Sequence, residues 1–307
     1  MALDPGAERL LKMLAASSAG AAASPDGVEA RRLMLHRLTR TAGPSLACGV
    51  DTRDLQAPGP AGPIPIRLYS PDGGSPAALV YFHGGGWVAG GLETHEGLCR
   101  RLAASSGVTL IAVDYRLAPE HRFPAAFDDA LATVCWVARC AAALGVRPDR
   151  LAIGGDSVGG GLAAAVALSP DAPPLALQVL LCPILDLVNE TPSRRAFARG
   201  FFVDAATLAQ DISAYCGDEA DLSDPRLSPL LASDLRRQPA ALIHAAEYDP
   251  FRDEARAYAE RLAMAGVAAR FVLWPGMIHY FYTLPRAIAG AGPALDAIGA
   301  GIAEALA

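Results

Sequence analysis

The chain is predicted to fold as an α/β protein on a mostly parallel central sheet, and three observations carry that prediction. Apolar runs of strand length recur at 78–82, 109–113, 150–153, 175–181, 240–245 and 269–273. They are unbroken rather than alternating, which implies burial on both faces, as in a sheet covered by helices. Segments with helical spacing separate them, at 93–105, 125–144, 160–168 and 253–265, with a last one at 294–306. Strand–helix alternation of this kind builds parallel crossovers.

Ahead of this rhythm, two short helices are expected at 7–16 and 28–38, divided by the turn signal Ser24-Pro25-Asp26-Gly27. Two strands, 46–55 and 64–70, should then pair as a hairpin around the Pro/Gly-rich stretch 57–65. One later interval is too long for a simple crossover. Residues 186–239 hold a helix near 205–216 and several Pro/Asp turns, but no evident strand. With the N-terminal helices they are expected to cap one edge of the sheet. The expected organisation is cap helices over 1–45, core over 46–185, a cap insertion over 186–225 and the rest of the core over 226–307.

At 307 residues, 52% of them hydrophobic and 19% charged, the chain has the material for a large core and is too apolar to stay disordered. Its net charge of −6 argues against a nucleic-acid-binding surface, which needs clustered cations. The six cysteines, Cys48, Cys99, Cys135, Cys140, Cys182 and Cys216, form no C-x-x-C pair and mostly lie in apolar surroundings. Neither a metal site nor a disulfide framework is therefore expected, and reduced thiols in a cytoplasmic protein are. Asp4 and Glu8 stand where a signal peptide carries basic residues. No stretch approaches the roughly 18 apolar residues that span a bilayer.

Chemistry concentrates where the run 150–153 meets the Ala-rich segment after it. Gly154-Gly155-Asp156-Ser157-Val158-Gly159-Gly160-Gly161 places five glycines in eight residues between a strand and a helix, both apolar. Glycine costs backbone entropy, so the cluster needs a reason. G-x-S-x-G at this position is a sharp turn that lifts the serine above the strand ends, at a helix N-terminus that favours developing negative charge. The plainer reading is a βα turn with Ser157 as helix N-cap.

A serine hydroxyl needs a base, and in the order serine, acid, histidine the partners lie downstream. Of the histidines, only His244 and His279 do. His244 sits inside an apolar strand and reads as a core residue, whereas His279 follows a strand and a Pro275-Gly276 break. His279 is the expected base. Asp249 ends the strand before it and is the expected acid, although an Asp before Pro250 is also a good N-cap; one carboxylate serves both only if its oxygens divide the work. Asp186 is the competitor. His83-Gly84-Gly85-Gly86-Trp87 follows the strand 78–82. Glycines there let amides face a substrate, and Gly84, Gly85 and Val158 are the expected oxyanion donors. The stretch also imitates a dinucleotide fingerprint, but Trp87 would crowd the pyrophosphate turn and His83 would go unexplained.

These stretches resemble the hormone-sensitive-lipase-like branch of the α/β-hydrolases, which includes bacterial carboxylesterases. The matching segments are HGGGW (83–87), DYRLAPEHRFPAAFDDA (114–130), GDSVGG (155–160), EYDPFRDE (247–254) and GMIHYF (276–281). The resemblance implies a serine esterase acting on short- to medium-chain esters with no metal or cofactor, with Ser157, Asp249 and His279 as the triad. It leaves open a non-catalytic small-molecule-binding protein, an amidase or lactonase, and a homodimer. Val158 and Tyr280 depart from the residues usual in the family, Ala and Gly, and are expected to narrow the site. Arg116 and Glu120 are expected to pair and hold a loop, and His83 and His121 to be structural. Phe201 or Phe202, with Trp87, is expected to line a short acyl pocket.

Overall fold

A computed structural model of the protein describes residues 2–20 and 27–307. The expected turn at 24–27 falls, up to Asp26, outside the described residues. Two helices, α1 (Pro5–Gly20) and α2 (Gly27–Ala42), precede the hairpin of β1 (Val50–Gly59) and β2 (Gly62–Pro71). The α/β part follows as β3 (Ser75–Phe82), α3 (Leu92–Ser106), β4 (Val108–Val113), α4 (Ala125–Arg139), β5 (Leu151–Asp156), α5 (Val158–Leu168) and β6 (Leu177–Leu181). After β6 come α6 (Pro192–Ala196) and α7 (Ala205–Cys216), then β7 (Ala240–Tyr248), α8 (Arg252–Met264), β8 (Ala269–Ile278) and α9 (Ala291–Ala305).

The strands form one eight-stranded sheet in the order β1-β2-β4-β3-β5-β6-β7-β8. β1 and β2 pair antiparallel, as do β2 and β4, and every other pair is parallel. All residues of β5 and β6 are buried, as their unbroken apolar runs require. α3 packs against α9, and α4 against α5. The chain leaves β3 for β4 on one side and returns to β5 on the other. Such a reversal opens a crevice at the carboxyl ends of β3 and β5, the place where ligands bind in open α/β sheets.

Two expectations about breaks in the sheet are corrected. The Pro/Gly-rich stretch 57–65 is not a separator but mostly strand, with Pro58 opposite Pro63 and Gly59 opposite Gly62. β1 is an edge strand, and β4 pairs with β2 only from Ile66 to Tyr69, so these prolines need no ladder N–H. Likewise Pro275-Gly276 does not end β8, which runs on to Ile278 through a register shift opposite Ala246–Tyr248. β8 is the other edge, where a proline is tolerated. The helix expected over 125–144 ends at Arg139 and continues as a 3₁₀ turn, Ala141–Leu144. The 186–239 interval contains helices and no strand among its residues, as read.

Candidate active site

Ser157 is the single residue between β5 and α5, held at φ 54° and ψ −122°. The glycines around it are demanded by contact. A β-carbon on Gly155 would lie 2.5 Å from the Gly159 backbone and 2.4 Å from the Phe82 carbonyl oxygen, and one on Gly159 would lie 2.0 Å from that oxygen. The elbow is thus squeezed both by its own sharpness and by the end of β3. Ser157 makes no side-chain cap bond. Its Oγ lies 3.0 Å from His279 Nε2 instead.

His279 follows the last residue of β8, and its Nδ1 lies 2.8 Å from Asp249 Oδ2. The other oxygen, Oδ1, accepts the Phe251 N–H at 2.8 Å, so the carboxylate does divide its work. Asp249 and His279 are buried, with the Phe251 ring edge-on to the imidazole at 5.2 Å. Asp186 is occupied locally: Oδ1 accepts from the amides of Val188 and Asn189, and Oδ2 from the Asn189 side chain. The serine, the carboxylate and the imidazole thus come from the ends of β5, β7 and β8 and meet in one hydrogen-bonded line. Among the described residues, Cys182, Asp249 and His279 hold possible ligand atoms within 4.8 Å of one another. Two of these groups are bonded to each other, and burial pushes the Cys182 thiol well up, so the set is not poised for a cation.

The loop after β3 departs from expectation at one residue. Gly84 N–H donates to Asp156 Oδ1 at 3.0 Å and is therefore not a free oxyanion donor. That oxygen also accepts the Tyr81 hydroxyl at 2.9 Å, and a β-carbon on Gly84 would lie 2.4 Å from Oδ2. Burial opposes the charge on Asp156, but His95, Tyr81 and His83 outweigh it and hold the carboxyl below its ordinary range. Asp156 anchors the loop. The next two glycines, Gly85 and Gly86, have φ of 128° and 69°, which favour glycine. Val158 is the first residue of α5, where a helix leaves its N–H groups without internal partners.

His83 is structural, as read. Its ring stacks on Tyr115 at 4.3 Å, Nδ1 lies 2.8 Å from Gly84 O, and burial pushes its pKa down to about 3. His121 is exposed and outside the site. His244 is buried in β7, as read. The expected Arg116–Glu120 pair does not form. Arg116 grips Asp129 through two nitrogens, and Glu120 is held by Arg32 of α2, a partner far away in sequence.

Of the expected wall residues, one approaches the triad. Trp87 stacks on Tyr215 of α7 at 4.8 Å, and Phe201 stacks on Tyr248 at 5.8 Å. Phe202 lies 6.4 Å from the His279 ring and stacks on Tyr280 at 5.5 Å. A cleft of about 230 Å³ opens between the β6–β7 connection and the Asp249 loop, lined by Val188, Arg194, Val203, Leu208, Ile212 and Pro250 among others, and by none of those three aromatics. Sequence reading also missed Asp211. It bonds to Arg31 of α2 and lies so close that a β-carbon on Gly86 would be 2.1 Å from its Oδ2. Burial raises Asp211 to about 6, against the pull of Arg31.

A protein family described by the alpha/beta hydrolase fold matches residues 79–283, which contain the elbow, the glycine loop, Asp249 and His279. The chain belongs to the α/β-hydrolases. This α/β-hydrolase is 39% identical to the carboxylic ester hydrolase LipN of Mycobacterium tuberculosis over 292 residues, 92% of this chain and 77% of that protein. It is 43% identical to the ethyl acetate hydrolase of Pseudomonas putida over 226 residues, 71% of each. Among solved structures, the ester-hydrolase EH1AB1 from the metagenome of Lake Arreo, complexed with a derivative of bipyridine phosphonate, superposes with a TM-score of 0.94 at 38% identity over 98% of each chain. No helix among the described residues is long and apolar enough to cross a membrane.

Proposed function

We propose that this α/β-hydrolase is a serine carboxylesterase that cleaves small carboxylic esters through an acyl-Ser157 intermediate. The observation that carries the reading is the line Ser157 Oγ, His279, Asp249, with separations of 3.0 and 2.8 Å. His279 Nε2 takes the hydroxyl proton as Ser157 Oγ attacks the ester carbonyl, and Asp249 holds the imidazole by its Nδ1–H. The tetrahedral oxyanion is received by amides of the glycine loop and of Val158. With Gly84 committed to Asp156, Gly85, Gly86 and Val158 are the donors we assign. The imidazolium then protonates the departing alkoxide, which leaves as alcohol. Water, deprotonated by the same nitrogen, releases the acid and restores Ser157.

The names of the relatives support ester substrates. We assign short- to medium-chain acyl groups to the cleft beside Pro250, since its wall is largely aliphatic and its volume of about 230 Å³ is modest. α2 and the β6–β7 connection act as a cap over the site, joined by the Arg31–Asp211 pair. All six cysteines are free thiols, in keeping with a reducing, cytoplasmic setting. Removal of the nucleophile of such a unit costs on the order of 10⁶ in kcat. Ser157→Ala, purified and folded, should therefore show no measurable turnover of p-nitrophenyl butyrate above background. Near-wild-type turnover would refute the assignment, and a wild type inactive on every ester offered would favour a binding protein.

A further inference from the structure

Tyr280 follows His279 directly and has φ 67°, in the left-handed region that a bulky aromatic residue adopts only against strain. It is only 3% exposed, so the strain is not relieved by solvent contact of the side chain. Its carbonyl is held by the Thr283 hydroxyl at 2.7 Å and the Thr283 amide at 3.2 Å, its ring lies 6.0 Å from that of Tyr282, and further contacts hold the side chain. The ring stacks on Phe202 of the β6–β7 connection at 5.5 Å and 15°. It meets the His95 ring edge-on at 6.0 Å. Its hydroxyl lies 3.3 Å from His95 Nε2.

His95 is the link to the rest of the site. Thr94 Oγ1 donates its proton to Gly91 O at 3.0 Å, so it accepts from His95 Nδ1–H at 2.9 Å. Nε2 is then left to face the Tyr280 hydroxyl, whose proton burial keeps on the phenol. The same nitrogen stands 3.4 Å from Asp156, the carboxylate that takes the Gly84 amide. Tyr280, His95 and Asp156 thus form one buried polar network, and removing the hydroxyl leaves the ring and the carboxylate less firmly placed.

We propose that Tyr280 is a positioning residue that ties the base loop and Phe202 to the carboxylate orienting the oxyanion loop. This rests on the esterase reading above. The hydroxyl keeps His95 and Asp156, and so the Gly84 turn, in register with His279. The ring fixes Phe202 beside the imidazole and, through the neighbouring Val203, the wall of the cleft assigned to the acyl group. Both halves of the site are thereby set by one residue.

The two roles separate in two variants assayed on p-nitrophenyl acetate, butyrate and octanoate, with kcat and KM determined apart and folding checked by thermal unfolding. Tyr280→Phe keeps the stack and loses the proton: kcat should fall about five- to tenfold on all three esters, the scale of one neutral hydrogen bond, with KM and the acyl preference unchanged. Tyr280→Gly relieves the backbone and frees Phe202: kcat should fall at least as far, and the preference should move toward octanoate. A folded Tyr280→Phe with kcat within twofold of wild type would overturn the hydroxyl role. A folded Tyr280→Gly with the wild-type acyl preference would overturn the ring's. Because each variant is compared with an active wild type, failure here is distinct from failure of the esterase reading, which would silence the wild type itself.

Discussion

Asp249 shows how much one side chain can be asked to do. Its Oδ1 receives the Phe251 amide at the start of α8 and its Oδ2 faces His279 Nδ1, both at 2.8 Å. An asparagine keeps an acceptor for the amide but turns an NH₂ group or a neutral oxygen toward the imidazole. Asp249→Asn should therefore stay folded and lose roughly 10⁴ in kcat, because the wrong tautomer is favoured. Asp186→Asn, whose parent carboxylate serves its own turn, should keep near-wild-type kcat on p-nitrophenyl butyrate. A fully active Asp249→Asn would remove the acid role. These residues were legible because the reaction needs a fixed order of side chains at strand ends, and sequence records order. The Gly84 amide was not, since its fate depends on where the Asp156 carboxylate points. The Arg116 pairing failed for a similar reason: nearness in sequence suggested Glu120, whereas the fold brings Asp129 to Arg116 and Arg32 to Glu120.

At the scale of elements, the apolar runs located every parallel strand; burial on both faces explains β5 and β6, whereas β8, at the edge, is only half-buried over its run and carries the exposed Arg270. Edge strands gave way to error. β1 and β8 tolerate prolines that a central strand would not, so Pro58 and Pro275 were misread as breaks. The pairing of β7 with β8 also carries a pH dependence. His244 of β7 lies against Trp274 of β8, whose Nε1–H donates to its Nδ1 at 3.2 Å. Burial first, then Arg270, pushes His244 down to about 4 from an ordinary 6.5. The folded protein thus refuses a proton that the unfolded chain takes up below 6.5. This contribution to stability is complete above that pH and is lost as pH falls toward 4, up to about 3 kcal/mol. His83, lower still, acts in the same direction. Urea midpoints of the wild type should fall between pH 6.5 and 4. His244→Gln, which keeps an acceptor for Trp274 but cannot titrate, should show a shallower fall with kcat unchanged. Equal slopes would mean that His244 is not buried neutral.

Across the whole molecule, segments distant in sequence converge on the glycine loop. From α2, Arg31 reaches Asp211 of α7 beside Gly86, while Arg32 binds the carbonyls of Val88 and Ala118 and the carboxylate of Glu120. The length of the 186–239 interval suggested a cap shared with the N-terminal helices, and the Arg31–Asp211 bond between α2 and α7 supports that reading. Sequence reading did not foresee the arginines that join them, because nothing local distinguishes an arginine that reaches across the fold from one in solvent. What this assembly is proposed to create is one activated hydroxyl, and that is directly measurable. The protein is treated with a p-nitrophenyl alkylphosphonate, released nitrophenol is counted, and the labelled chain is weighed intact and mapped by peptide mass. The account predicts one phosphonyl group per chain, on Ser157, formed in step with complete loss of esterase activity and absent from Ser157→Ala. An active wild type that takes no label, or equal labelling of Ser157→Ala, would contradict it.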